Sequence, residues 1–382
     1  MHDTHLARRH AWPVRIGARL APPGFRWPAL AGFAPPANGS RAARGPGMTV
    51  ALLGLAFCLC AAAVGRAGYL LSASADALAH HHGWSRGWVG LALLATVTSL
   101  PELATGISAV TLIDAPNLGV GNALGACLFN LGYLVVVDLL QREQPMYRHA
   151  SPSHLLSAAF GVVMLGFVAM TLLVAPHAPA LLHLGLYSPM LLGLYLVALR
   201  NLLRQDRAAR PALPTVPTPK ASAVDIRPVW RRFLLAAAVV VLAGAALSPL
   251  ADRLAGLLGL SRSFVGTVLL ALVSSLPELA VTLAALRLRA LDMAIGNLLG
   301  SNLFNIAILA IDDLAYTRGP LLRDVATVHA GTAVAAMVMT GLVMVGLILR
   351  PQGRVLRLLG WVSIGLLGIW LLNATLVGLL GT

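Results

Sequence analysis

The sequence predicts an all-α integral membrane protein of ten transmembrane helices in two inverted five-helix repeats, and three observations carry that prediction. The chain of 382 residues is 58% hydrophobic and only 11% charged, with a mean hydropathy of +0.80, outside the range of soluble globular domains. Apolar stretches of about 20 residues, enough to cross ~30 Å of hydrocarbon as helix, recur along nearly the whole length after residue 48. A motif-bearing segment of the first half returns in the second.

Taken from the N-terminus, residues 1–47 are rich in Arg, Pro, Ala and Gly and lack helical periodicity. They read as a disordered tail, or as sequence upstream of a start at Met48. Ten spans follow, at about 49–72, 86–111, 117–140, 152–175, 180–202, 231–251, 262–287, 290–312, 325–349 and 355–380. Between the fifth and sixth, residues 203–229 carry five prolines among charged residues and read as a linker. The chain thus divides into a first repeat, 48–202, and a second, 230–382. With the N-terminus outside, the predicted cytoplasmic side holds 17 of the 21 Lys and Arg residues after Met48, and the outer loops only Arg253, Arg262, Arg318 and Arg323. The positive-inside rule therefore places both termini outside and the 203–229 linker in the cytoplasm. The Arg-rich, Ala-rich composition fits a prokaryotic plasma (inner) membrane. The net charge of +14 reports topology rather than nucleic-acid binding, because the arginines lie between apolar spans.

The repeat is explicit. VGLALLATVTSLPELA at 89–104 aligns without gaps on VGTVLLALVSSLPELA at 265–280, with 12 of 16 positions identical at a spacing of 176. GNALGACLFN at 121–130 matches GNLLGSNLFN at 296–305 in seven of ten positions at a spacing of 175. Asp76 with Asp252, and Asp138 with Asp313, keep this register. Five spans per half is an odd number, so the second copy enters the membrane from the opposite side, the arrangement of an inverted-repeat transporter.

Of the fourteen acidic residues, Glu102 and Glu278 are read as the two well inside apolar spans, and they are repeat equivalents. A carboxylate at that depth costs about 2.5 kcal/mol or more, so it marks a cation or proton pathway. Brought together near the midplane, the two would offer oxygen ligands to one divalent cation. Pro101 and Pro277 precede them and remove the amide donors that the carbonyls of Val97 and Val273 would otherwise meet. Thr98 and Ser274 lie one turn before each Glu on the same face, with Ser99 and Ser275 beside them. Carbonyl, hydroxyl and carboxylate converge in the broken-helix device that lines ion pathways. Gly121 with Gly125, and Gly296 with Gly300, permit close backbone approach. Asn130 and Asn305 are placed to complete the cation shell, whereas Asn122 and Asn297 read as hydrogen-bonding helix ends or bridging spans.

The remaining polar residues read as structural. Asp138 and Asp313, near Arg142 and Arg318, suit pairing or interface roles, and Asp76 and Asp252 helix ends. His80, His81 and His82 are consecutive and share no helix face. Cys58, Cys60 and Cys127 read as small buried apolar residues. Trp84, Trp88, Trp230 and Trp361 sit where interfacial anchors belong. No nucleophile–base set or His-Glu-x-x-His cluster is present, so an enzyme is not expected.

These motifs resemble the alpha repeats of the calcium/cation antiporter superfamily, the sodium/calcium exchanger-like membrane proteins, over essentially Met48 to Thr382. The family's Gly-Thr-Ser-x-Pro-Glu and Gly-Asn-x-x-Gly-Ser-Asn types are matched here by TSLPE, SSLPE and GNLLGSN. The resemblance implies a ten-helix fold in which Glu102 and Glu278 ligate calcium. It also implies that Thr98, Ser99, Ser274, Ser275, Ser301, Asn130 and Asn305 help form neighbouring sodium sites. Val97 and Val273 stand where Gly is usual, Ser274 where Thr is, and Ala126-Cys127 where Ser-Asn is. Asn occupies both 130 and 305, where many sodium-coupled members carry a third acid. The expected activity is calcium/sodium antiport by alternating access, with the first and sixth spans gating. Proton coupling is the alternative, and a non-transporting scaffold or sensor a distant third. The expected partners are small cations and the bilayer, with no nucleic acid and no cofactor; Ca²⁺ and Na⁺ or H⁺ are substrates. Monomer and homo-oligomer both remain open.

Overall fold

The computed structural model describes residues 46–81, 93–141, 146–151, 154–177, 179–208, 226–351, 353, 355 and 359–381. The expected tail, apart from residues 46–47, and with it Trp84, Trp88, His82 and Arg142, lies outside the described residues.

The described chain is almost wholly helical. The first half comprises α1 (Pro46–His81), the short α2 (Ala95–Thr98), α3 (Leu100–Thr111), α4 (Pro116–Leu140), α5 (His154–Leu173) and α6 (Tyr187–Ala208). The second comprises α7 (Arg227–Leu258), the short α8 (Ala271–Ser274), α9 (Leu276–Arg287), α10 (Leu291–Ala315), α11 (Val328–Leu349) and α12 (Trp361–Leu380). A π-helical stretch, Val265–Leu270, leads into α8, and its repeat equivalents Leu93 and Leu94 are π-helical too. Among the described residues seven helices, α1, α4, α5, α7, α10, α11 and α12, are long and apolar enough to cross a membrane. The broken unit Arg262–Arg287, bent by 41°, brings the number to eight when counted as one span. The protein is a multi-pass integral membrane protein.

Several boundaries differ from expectation for physical reasons. The expected fifth span begins at Tyr187, not at 180, because Ala180–Leu181 (β1) and Leu184–Gly185 (β2) pair as an antiparallel ribbon. Helices α6 and α7 run to Ala208 and from Arg227, so they enter the expected 203–229 linker from both ends; residues 209–225 lie outside the described residues. Pro228 does not interrupt α7, because it occupies the first turn, where no amide donor is needed.

The largest apolar cluster joins α4, α5, α6, α10, α11 and α12, with Leu124, Leu128, Leu165, Leu303, Leu309 and Val343 among its buried members. Helices α1 and α7 pack most extensively on each other and then on the broken helices. Their outward leucines, such as Leu55, Leu59 and Leu242, are exposed, as lipid-facing residues are. Two glycines set how closely this pair approaches. A Cβ on Gly68 would lie 2.6 Å from Pro277 Cβ, and one on its repeat equivalent Gly244 would lie 3.1 Å from Ala104 Cβ and 3.2 Å from the Pro101 carbonyl. Each long helix therefore rests on the proline of the opposite half. Close approach also occurs at Gly125, where a Cβ would lie 2.8 Å from Ala271 Cβ, and at Gly121, against Thr267. The expected match at Gly296 is absent, since the nearest atom to its would-be Cβ is His154 Cε1 at 3.7 Å.

Candidate cation site

Both helix breaks fall where the proline argument places them. Ser99 (φ −86°, ψ 11°) separates α2 from α3, and Ser275 (φ −83°, ψ 7°) separates α8 from α9. Pro101 and Pro277 sit in the first turns of the new helices and donate nothing to the carbonyls of Val97 and Val273. The amide of the serine two residues on meets each of those carbonyls and also that of Ala95 or Ala271.

The breaks bring the two halves together. The Ser99 hydroxyl donates to Glu278 Oε1 at 2.8 Å, and the Ser275 hydroxyl donates to Glu102 Oε1 at 3.0 Å. Each half thus supplies the hydroxyl that holds the other half's carboxylate. All four side chains are fully buried. The second oxygen of each glutamate, Oε2, has no hydrogen-bond partner among the described residues, nor has either amide atom of Asn130 or Asn305. Buried polar atoms without partners are costly in proteins. Here two carboxylate oxygens and two amide groups, in repeat-equivalent positions, share that condition.

The surrounding hydroxyls are asymmetric. Thr98 Oγ1 lies 3.3 Å from Ser301 Oγ. In the other half Ala126 stands where Ser301 does, so Ser274 donates instead to Asn122 Oδ1 at 3.0 Å. Asn122 Nδ2 donates to Thr105 Oγ1 at 2.7 Å, and Asn297 Nδ2 to the Glu278 carbonyl at 3.5 Å, the bridging role expected of this pair. Cys127 and Asn302, also repeat equivalents, contact each other where α4 and α10 cross: Asn302 Nδ2 donates to the Cys127 carbonyl at 3.3 Å, and Cys127 Sγ to the Asn302 carbonyl at 3.7 Å. Among the described residues no three His, Cys, Asp or Glu gather as at a resident metal centre.

Other acids depart from the sequence reading. Asp313 does not pair with Arg318. It accepts from the amides of Gly185 (3.0 Å) and Leu321 (2.6 Å) and the hydroxyls of Tyr187 (2.7 Å) and Ser188 (2.5 Å), tying the ribbon and the loop after α10 together. Its equivalent Asp138 accepts from the Gly360 amide and the Ser363 hydroxyl, at 2.8 and 2.7 Å. Arg318 pairs with Asp114 at 2.5 Å, and Asp252 with Arg262 at 2.6 Å. Cys58 is exposed rather than buried, because α1 turns that face outward. The reading that only two acids lie deep in the spans also fails: Asp312, on α10, is fully buried and neither carboxylate oxygen has a partner among the described residues. The signal in the sequence was its spacing of seven from Asn305, two helical turns along one face.

The sequence profile described as sodium/calcium exchanger protein matches residues 52–203 and 229–376. The inner membrane protein YrbG of Escherichia coli (strain K12) is 27% identical over 261 residues, covering 60% of this chain and 72% of that protein. The sodium/calcium exchanger MaX1 of Methanosarcina acetivorans is 46% identical over 63 residues, 16% of this chain and 18% of that protein. The fold is similar to that of the sodium-calcium exchanger NCX_Mj, solved after soaking with Na⁺ and Sr²⁺, with a TM-score of 0.58, 21% identity, and coverage of 85% of this chain and 99% of that one. Two matched blocks, one in each half and each holding a Ser-Leu-Pro-Glu break, leave one assignment: the chain belongs to the sodium/calcium exchanger protein family, a family of membrane ion transporters and not of enzymes.

Proposed function

We propose that this protein is a secondary active antiporter that exchanges calcium for sodium by alternating access, with Glu102 and Glu278 as the shared carboxylates of one calcium site. The observation that carries the reading is the reciprocal pair Ser99–Glu278 and Ser275–Glu102, with both Oε2 atoms buried and unpartnered. Two carboxylates balance one Ca²⁺, and a hard dication takes 6–8 oxygen ligands of carboxylate, hydroxyl, amide and carbonyl type. Thr98, Ser301, Ser274, Asn130, Asn305 and the carbonyls of Val97 and Val273 supply donors around that pair and form the sodium positions.

In this reading the broken unit α2–α3 and helix α6 complete a set of ten spans with the eight long or bent units. The two five-span halves are inverted, joined by a cytoplasmic linker that lies within 203–229 and is shortened at both ends by α6 and α7. The membrane is a prokaryotic plasma membrane. Proton coupling is the second reading, supported by Asn at 130 and 305 and Ala at 126, which remove an acid and a hydroxyl from the sodium ligands. Radiolabelled calcium uptake into proteoliposomes tests both. Uptake driven by an outward sodium gradient is the expected result, uptake driven only by a proton gradient selects the second reading, and uptake under neither rejects antiport.

A further inference from the structure

Besides the two glutamates, α10 carries one more carboxylate that is fully buried and unpartnered among the described residues, Asp312. Its position is constrained. A Cβ built on Gly106 would lie 2.7 Å from Asp312 Oδ1, so the carboxylate lies directly over the Gly106 Cα, and only glycine leaves room for it. Gly106 is four residues after Glu102 on α3, one helical turn away.

The short helix α2, on the other side of the Ser99 break from α3, also meets α10, at Thr98 and Ser301. The seam therefore runs from Thr98 and Ser301 to Gly106 and Asp312, with Glu102 and Asn305 lying between them in sequence. Asn305 and Asp312, seven residues apart, share one face of α10 to within about 20°, and both amide atoms of Asn305 are buried and unpartnered. Beyond Asp312 the seam ends at the face carrying the Asp114–Arg318 pair. The equivalent seam in the other half reads Ser274 and Ala126, Glu278 and Asn130, then Thr282 and Val137. It holds no carboxylate at the last position.

We propose that Asp312 forms a second, monovalent cation site for sodium on one side only of the Glu102–Glu278 pair. The proposal rests on the antiport reading and deepens it, by supplying a third acid where Asn130 and Asn305 leave none. One carboxylate balances a single charge, which selects a monovalent ion over calcium. Both oxygens of Asp312 lack a hydrogen-bond partner among the described residues, and a sodium ion satisfies both. Because Val137 is the repeat equivalent, the half-path toward the Asp114–Arg318 face carries a sodium site that the opposite half-path lacks, and sodium affinity differs between the two sides.

The test is binding of radiolabelled sodium alone, without calcium, to the purified full-length protein, with calcium binding measured separately. Asp312→Asn is expected to raise the half-saturating sodium concentration by at least about tenfold, the loss of a full charge at contact distance in a buried site, while calcium binding persists. Gly106→Ala, which keeps the acid but displaces it, is expected to shift sodium binding the same way, and it decides the matter should Asp312→Asn not elute as a folded species. A sodium curve unchanged in both variants overturns the proposal, as does a change confined to the pH dependence of calcium binding, which would make the group a proton site. Loss of the antiport reading is scored separately, by calcium binding that survives Glu102→Gln.

Discussion

Replacing Glu102 by Gln tests the calcium pair with little change of shape. The amide keeps an oxygen for the Ser275 hydroxyl, now 3.0 Å from Glu102 Oε1, and removes one unit of charge. Two unit charges 4 Å apart at an effective dielectric of about 20 interact by about 4 kcal/mol, so a divalent ion gains about 8 kcal/mol from each carboxylate. With about half of that gain offset by desolvation of the ion, the remaining about 4 kcal/mol corresponds to a loss of about three decades in calcium affinity. Glu278→Gln should lose a similar amount, because Ser99 holds it in the equivalent way. The same neutralisation relieves an unpartnered buried charge, so the calcium-free protein should melt at a higher temperature in detergent than the parent. Radiolabelled calcium binding and thermal unfolding of the same preparation give both numbers. A variant that binds calcium within about tenfold of the parent would refute the shared-carboxylate site.

Three further substitutions examine the scaffold. Gly125→Ala should destabilise by about 1–3 kcal/mol, because its Cβ would press within 2.8 Å of Ala271 Cβ; Gly296→Ala, with its nearest neighbour at 3.7 Å, should leave the melting temperature unchanged or raise it. Asp313→Ala strands four donors, each costing at least about 1 kcal/mol when left unsatisfied in the interior, so the protein should aggregate or melt far lower on fluorescence-detected gel filtration; a normal elution profile would contradict the role of Asp313 as a structural hub. Ala126→Ser restores beside Ser274 the hydroxyl that Ser301 supplies beside Thr98. An added oxygen ligand of about 1 kcal/mol should lower the sodium concentration that half-displaces calcium by about fivefold, and no shift would remove position 126 from the sodium ligands.

The parts of the fold legible in the sequence are those that local chemistry dictates. Two Pro-Glu pairs in apolar runs signalled a broken helix within a turn before each glutamate, since a missing amide acts within one turn; the structure puts the breaks at Ser99 and Ser275. The register of 175 to 176 residues paired Glu102 with Glu278 and Asp138 with Asp313. What escaped depends on partners distant in the chain. Nothing in TSLPE says that Ser99 reaches the glutamate of the other copy rather than its own. Asp313 looked like a span-end acid beside Arg318, because its donors come from 185–188 and 321, loops whose backbone direction no periodicity records. Asp312, next to it, was hidden by that neighbour: consecutive residues on a helix point about 100° apart, so one of the two serves the loops while the other faces the seam with α3.

The crossed arrangement of the halves has an evolutionary corollary. Ser99 serves Glu278 and Ser275 serves Glu102, while Gly68 rests on Pro277 and Gly244 on Pro101. Neither copy contains a finished set of contacts. After duplication, a change at a serine or glycine in one copy is felt at the acid or proline of the other, so selection acts on the two halves jointly. Drift is tolerated only at positions outside these crossed pairs, such as 126 against 301 and 137 against 312. There the copies have already parted, and there a symmetric ancestor would acquire a preferred direction.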